Sequence, residues 1–222
     1  MGILPMPPYT ETQITTVLLI FQVAVTFLIS VRAFYLYPKT RNPLLFIVGM
    51  SMGMITFVGI VGIVGDNYNA TVFAGHFTTK WFRYLAQIVS YTFIFLSSVR
   101  TSERYLRNVR IWQWIFTVLL LATLAAIPFI PQIQITDPAI DASISSLRAV
   151  VTFVIFLNYV VIFMGKESRF SFLMGLAFLL IAFGIAITTP QYFEKSMVLY
   201  LYVGDSVRTL GLITLLIAFY AG

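Results

Sequence analysis

MVLYLYVGDSVRTLGLITLLIAFYA, residues 197–221, is the stretch that decides the fold. A helix of this length rises about 37 Å at 1.5 Å per residue, enough to cross a bilayer core of about 30 Å with some tilt. Asp205 and Arg208 stand near its middle at i, i+3 spacing. They share one helical face with Tyr202, Thr209 and Leu212. An ionised side chain at that depth costs several kcal/mol unless it is paired or faces a cavity. The charged face is therefore expected to point into the protein, where other segments supply its partners.

Composition carries the same message over the whole chain. Of 222 residues, 59% are hydrophobic and 10% charged, whereas soluble domains carry about 25% charged residues. There is no cysteine, which excludes disulfides, thiolate metal sites and cysteine nucleophiles. The single histidine, His76, falls in a loop and cannot supply paired axial ligands, so no haem is expected. The amino terminus has neither a basic region nor a small-residue cleavage site, and no signal peptide is read.

Seven apolar runs of about twenty residues follow one another, at 13–36, 43–65, 78–100, 111–130, 146–165, 170–189 and 197–221. Pro38 and Pro43 bracket the first break, Asp66 and Asn67 mark the second, Pro131 and Pro138 the fourth, and Pro190 closes the sixth run. These features predict an all-α integral membrane protein, a seven-transmembrane-helix bundle forming a single domain over residues 1–222. Alternate loops hold Arg32, Lys39 and Arg41, then Arg100, Arg104, Arg107 and Arg110, then Lys166 and Arg169. The opposite side has Lys80, Arg83, Arg148 and Lys195, set against Glu11, Asp66, Asp137, Asp141 and Glu194. The positive-inside rule then places the N-terminus outside and the C-terminus in the cytoplasm. The net charge of +6 is thereby mostly topology, and no nucleic-acid partner is expected.

Within this frame several residues stand out. Gly49 and Gly53 form a GxxxG pair on the second helix, continued by Gly59, Gly62 and Gly65, and Gly175, Ala182, Gly184 and Ala186 repeat the device on the sixth. Small residues let backbones approach closely where lipid supplies no hydrophobic drive, so helix packing inside the bundle is the expected role. Arg83, Gln87, Ser90 and Ser97 share a face of the third helix. A contact between Arg83 and Asp205, direct or through water, is expected, with Arg208 deeper in the same cluster. Gln22, Thr26, Thr56, Asn158 and Tyr159 are further polar groups inside helices, each expected to bond between helices for about 1 kcal/mol. Asn69-Ala70-Thr71 is a glycosylation sequon in a loop assigned to the outside. No phosphate-cradling glycine loop, serine–histidine–acid set or HExxH helix is present, and no metal site is expected.

A Trp81-x-Arg83-Tyr84 run opening the third helix and Asp205 midway along the seventh resemble the microbial rhodopsins, as do the helix number and orientation. In that family the aspartate belongs to the counterion complex, the arginine lies just outside it, and a glycine stands where Gly211 falls. The resemblance also marks what is missing. The retinal-bearing lysine would stand at Thr209, the primary acceptor carboxylate at Ala86 and the following tryptophan at Gln87. No covalent retinal and no light-driven pump are implied.

The functional expectation is a non-catalytic polytopic membrane protein of rhodopsin-like architecture, a subunit, scaffold or sensor of a membrane complex, not an enzyme. The alternative is a small-solute or ion transporter or channel built on the Arg83, Asp205 and Arg208 polar core, with Gln87, Ser90, Asn158 and Thr209 beside it. Expected partners are membrane lipids and other membrane subunits or further copies of the chain. The expected location is the plasma membrane.

Overall fold

A computed structural model describes residues 9–67, 78–99, 102–126, 138–193 and 198–221, with side chains at 16–64, 82–99, 102–126, 138–193 and 199–220. Asn69, His76, Pro131 and Lys195 lie outside the described residues, as does the Trp81 side chain. Seven α-helices form: α1 (Tyr9–Thr40), α2 (Pro43–Asn67), α3 (Thr78–Val99), α4 (Glu103–Ala126), α5 (Pro138–Lys166), α6 (Arg169–Ile187) and α7 (Val198–Ala221). One 3-10 turn, Thr189–Tyr192, follows α6 where Pro190 ends the regular helix. No strand occurs among the described residues.

All the helices but α3 are long and apolar enough to cross a membrane, six in number. The expectation of seven spans thus becomes seven helices, of which six meet that criterion among the described residues. The physical reason lies in the polar residues of α3. Gln87, Ser90, Ser97 and Ser98 are buried there, and Arg83 adds a charge, which together hold this helix below the hydropathy that its neighbours reach. Helix contacts close a ring in the order α1, α2, α3, α5, α6, α7, while α4 rests outside it against α2 and α3. The buried faces meet in one large core of residues such as Ile29, Met52, Tyr91, Ile155, Phe178 and Leu212.

Two helices begin well before their apolar runs. Helix α4 starts at Glu103 where 111 was expected, and α5 starts at Pro138 where 146 was expected. Hydropathy marks where a helix enters lipid, whereas hydrogen bonding continues into polar turns that the bundle or the headgroups accommodate. Proline at the first position of α5 is compatible with this, because the missing N–H is one the helix would leave unpaired anyway. Helix α1 runs past Pro38 to Thr40. It ends when Arg41 turns left-handed at φ 52°, its N–H donating to the Tyr37 carbonyl at 2.8 Å.

Glycines set the closest approaches. A Cβ on Gly184 would stand 2.6 Å from the backbone nitrogen of Arg208 and 2.6 Å from the Gly204 carbonyl oxygen. One on Gly211 would stand 2.9 Å from the Ala177 carbonyl oxygen. Helices α6 and α7 therefore pack backbone to backbone, and that contact fixes where Arg208 sits. On α2, a Cβ at Gly53 would meet Ser30 Oγ at 3.0 Å and one at Gly49 would meet Phe34 at 3.3 Å. Ser30 Oγ also donates to the Gly49 carbonyl at 2.8 Å. The GxxxG pair thus lies against α1 within the bundle.

Candidate functional site

Helices α1, α3, α5 and α7 begin at the same end of the ring, where α6 finishes. There they enclose a cavity of about 230 Å³. Helix α1 contributes Gln22 and α3 contributes Arg83, Tyr84 and Gln87. Arg148 comes from α5, Asp205 and Arg208 from α7, and Thr188, Gln191 and Tyr192 from the turn that ends α6. A void of about 10 Å³ lies against Gln22, Gln87 and Arg208 and reaches Tyr91 and Thr26. Beyond it the interior is filled by Val25, Ile29, Ile55, Ile94 and Leu212. The cavity accordingly has a floor.

Arg148 is its most deeply buried charge, at 4% exposure. Its Nη1 donates to Gln87 Oε1 at 2.7 Å and its Nη2 to Ser145 Oγ at 2.9 Å. Its guanidinium carbon stands 3.8 Å from the centroid of the Tyr84 ring. The Tyr84 hydroxyl shares a hydrogen bond of 2.7 Å with that of Tyr192, so this ring is held from both sides. All these partners are neutral, and Arg148 Nε has no hydrogen-bond partner. The same holds for Arg208 Nε and for the hydroxyl of Tyr91, both buried.

The direct form of the expected Arg83–Asp205 contact, an ion pair, is not made, and no salt bridge occurs among the described residues. Both residues line the cavity, yet Arg83 turns toward α2. Its Nη1 is 2.9 Å from where a Cβ on Gly62 would stand. The glycine leaves a notch that accepts the guanidinium, while the Tyr84 ring lies 5.7 Å from its Cζ. Asp205 joins the network through its backbone carbonyl, which accepts from Gln22 Nε2 at 3.3 Å and from Thr209 Oγ1 at 2.7 Å.

Thr209, where the rhodopsin resemblance puts a lysine, is buried and accepts from Gln22 Nε2 at 3.1 Å. Gln87 holds Arg148. Ser90 is buried on the same helix but does not line the cavity. Asn158 lies nearly three turns beyond Arg148 on α5 and donates to Ser98 Oγ at 2.7 Å, tying α5 to α3 away from the cavity.

Arg148 lies within the run 146–165, yet from the sequence its charge counts only toward the outer side of the bundle and not toward the polar core. The signal that identifies it is the series Ser145, Arg148, Thr152 at i, i+3, i+7, which places three polar groups on one face. All three are buried. No group of three or more histidine, cysteine, aspartate or glutamate side chains suited to a metal ion occurs among the described residues. What the arrangement supplies is hydrogen-bond donors and charge around a small volume. No protein family, curated protein or solved structure gives a match to the chain.

Proposed function

We propose that this is a polytopic membrane protein that takes a small polar solute into the cavity between α1, α3, α5 and α7 and binds it without chemical change. One observation carries the reading: a volume of about 230 Å³ is walled by the charged and amide side chains of Arg83, Arg148, Arg208, Asp205, Gln87 and Gln191. Charged side chains inside a membrane protein cost several kcal/mol unless they are paired or face a water-filled cavity, and a bound polar solute offsets part of that cost. In this reading α3 is the seventh span, with its polar face turned to the cavity. The clusters Arg32, Lys39 and Arg41, Arg104, Arg107 and Arg110, and Lys166 and Arg169 belong to the opposite end of the bundle. By the positive-inside rule that end is cytoplasmic, and the cavity opens outward.

The test is a panel of small polar solutes screened against the purified chain by thermal unfolding. A solute of the class raises the melting temperature in a saturable way, and Leu201→Trp, which fills the cavity from its wall, removes the shift. If no solute protects the parent chain, the binding reading fails.

A second reading, as a subunit of a membrane complex, is favoured by α4. This helix buries only Leu106, Val109 and Gln113 and exposes Trp112, Ile115, Val118 and Leu119. A polypeptide co-purifying in fixed ratio, and lost when these four are replaced by alanine, is the expected sign of it.

A further inference from the structure

The cavity wall carries three guanidiniums, Arg83, Arg148 and Arg208, against the single carboxylate of Asp205. We infer that the solute is a small dianion, an oxyanion or a short dicarboxylate, clasped between Arg148 on α5 and Arg208 on α7. This rests on the solute-binding reading above and names the class of solute.

The charge surplus is the first reason. Among the described residues none of the three arginines is in a salt bridge, and Asp205, the one carboxylate lining the cavity there, can offset only one of the three charges. A buried charge without a counterion is strongly unfavourable, more so than a pair. The second reason is the donors that remain. Arg148 spends one hydrogen of Nη1 on Gln87 and one of Nη2 on Ser145, which leaves one on each nitrogen, and both it and Arg208 line the cavity. A planar guanidinium takes two oxygens of one carboxylate, sulfate or phosphate at once. Two of them on two helices suit a ligand with acceptor oxygens at both ends, or one compact oxyanion shared between them.

The third reason is size. A volume of about 230 Å³ corresponds to roughly seven or eight waters at about 30 Å³ each. That holds a sulfate or a four-carbon dicarboxylate with a few waters. Gln191 on the wall offers an amide donor to remaining oxygens. Asp205 has the opposite effect, since it repels an anion and keeps the empty cavity from trapping one too tightly.

The experiment uses the full chain in lipid nanodiscs and isothermal titration with sodium succinate, sodium sulfate, sodium acetate and succinamide at matched ionic strength. Succinate or sulfate is expected to bind saturably, acetate at least tenfold more weakly and succinamide not at all; which of the two dianions prevails identifies the class as dicarboxylate or tetrahedral oxyanion. Arg148→Gln should abolish binding. Because that variant touches the buried network, Arg83→Gln provides the second arm and should weaken binding roughly tenfold. Asp205→Asn should tighten it by a similar factor, as removal of one like charge within several Å implies. Binding of succinamide equal to that of succinate overturns the dianion and leaves the solute-binding reading intact. Binding of no probe, with the variants altering only thermal stability, overturns both and makes the arginines a packing cluster.

Discussion

Arg148 donates Nη1 to Gln87 Oε1 at 2.7 Å, so the charge that joins α5 to α3 is held by a neutral amide and not by a carboxylate. The amide fixes the guanidinium without cancelling its charge, which stays available to the cavity. Gln87→Leu removes the acceptor and leaves Nη1 buried without a partner. It should lower unfolding free energy by about 2 kcal/mol, the usual cost of an unsatisfied charged donor. Gln87→Leu combined with Arg148→Met should recover most of that loss, because apolar groups then replace both partners. A double-mutant cycle in a denaturing-detergent titration checks this, the coupling being the part that does not add.

Gly184 and Gly175 lie on the same helix and should respond very differently to alanine. A methyl at Gly184 meets backbone atoms of Arg208 and Gly204 at 2.6 Å, whereas one at Gly175 meets Tyr159 Cβ at an ordinary 3.6 Å. Gly184→Ala should cost about 2 kcal/mol through overpacking, and Gly175→Ala close to nothing. Unfolding of the two variants side by side measures the difference.

Gly62→Ala tests the notch that draws Arg83 away from Asp205. Its methyl would stand 2.9 Å from Arg83 Nη1, the end of a flexible side chain that can swing aside. Stability should change by less than about 1 kcal/mol, the smaller end of overpacking costs. The guanidinium should move into the cavity toward Asp205. A structure of the variant with an Arg83–Asp205 ion pair is the expected outcome; an unmoved Arg83 contradicts this account of its orientation.

Gln113 anchors α4 by donating to the Ile47 carbonyl at 2.9 Å and to Ser51 Oγ at 2.9 Å. Gln113→Leu should loosen α4 alone, at about 1 kcal/mol for the interhelical bonds lost. Hydrogen exchange should accelerate in Glu103–Ala126 while α6 and α7 keep their protection.

Much of the architecture can be read from periodicity and hydropathy, because lipid demands apolar helices of a set length. The starts of α2, α3 and α7 fall within a residue of the apolar runs at 43, 78 and 197. The starts of α4 and α5 do not, since Glu103–Arg110 and Pro138–Ser145 are polar helix that hydropathy reads as loop. Arg148, the centre of the charged cluster, falls inside the run 146–165, but its polar face shows only when Ser145, just before that run, is read as helix. The face bearing Asp205 and Arg208 was legible from the cost of charge in lipid. The direction taken by Arg83 was not, since it depends on which helix sets a glycine opposite it. Interhelical distances of that kind emerge from packing and leave no local pattern in one sequence.

The most direct measurement uses the absence of cysteine from the chain. Gln191→Cys places a thiol on the cavity wall, and Thr152→Cys places one on α5 a turn beyond Arg148, in the packed interior. In sealed, uniformly oriented vesicles, a membrane-impermeant thiosulfonate applied from the extracytoplasmic side should modify Gln191→Cys and leave Thr152→Cys untouched. Modification of both at similar rates, or of Gln191→Cys from the cytoplasmic side alone, would contradict a floored cavity open to the outside.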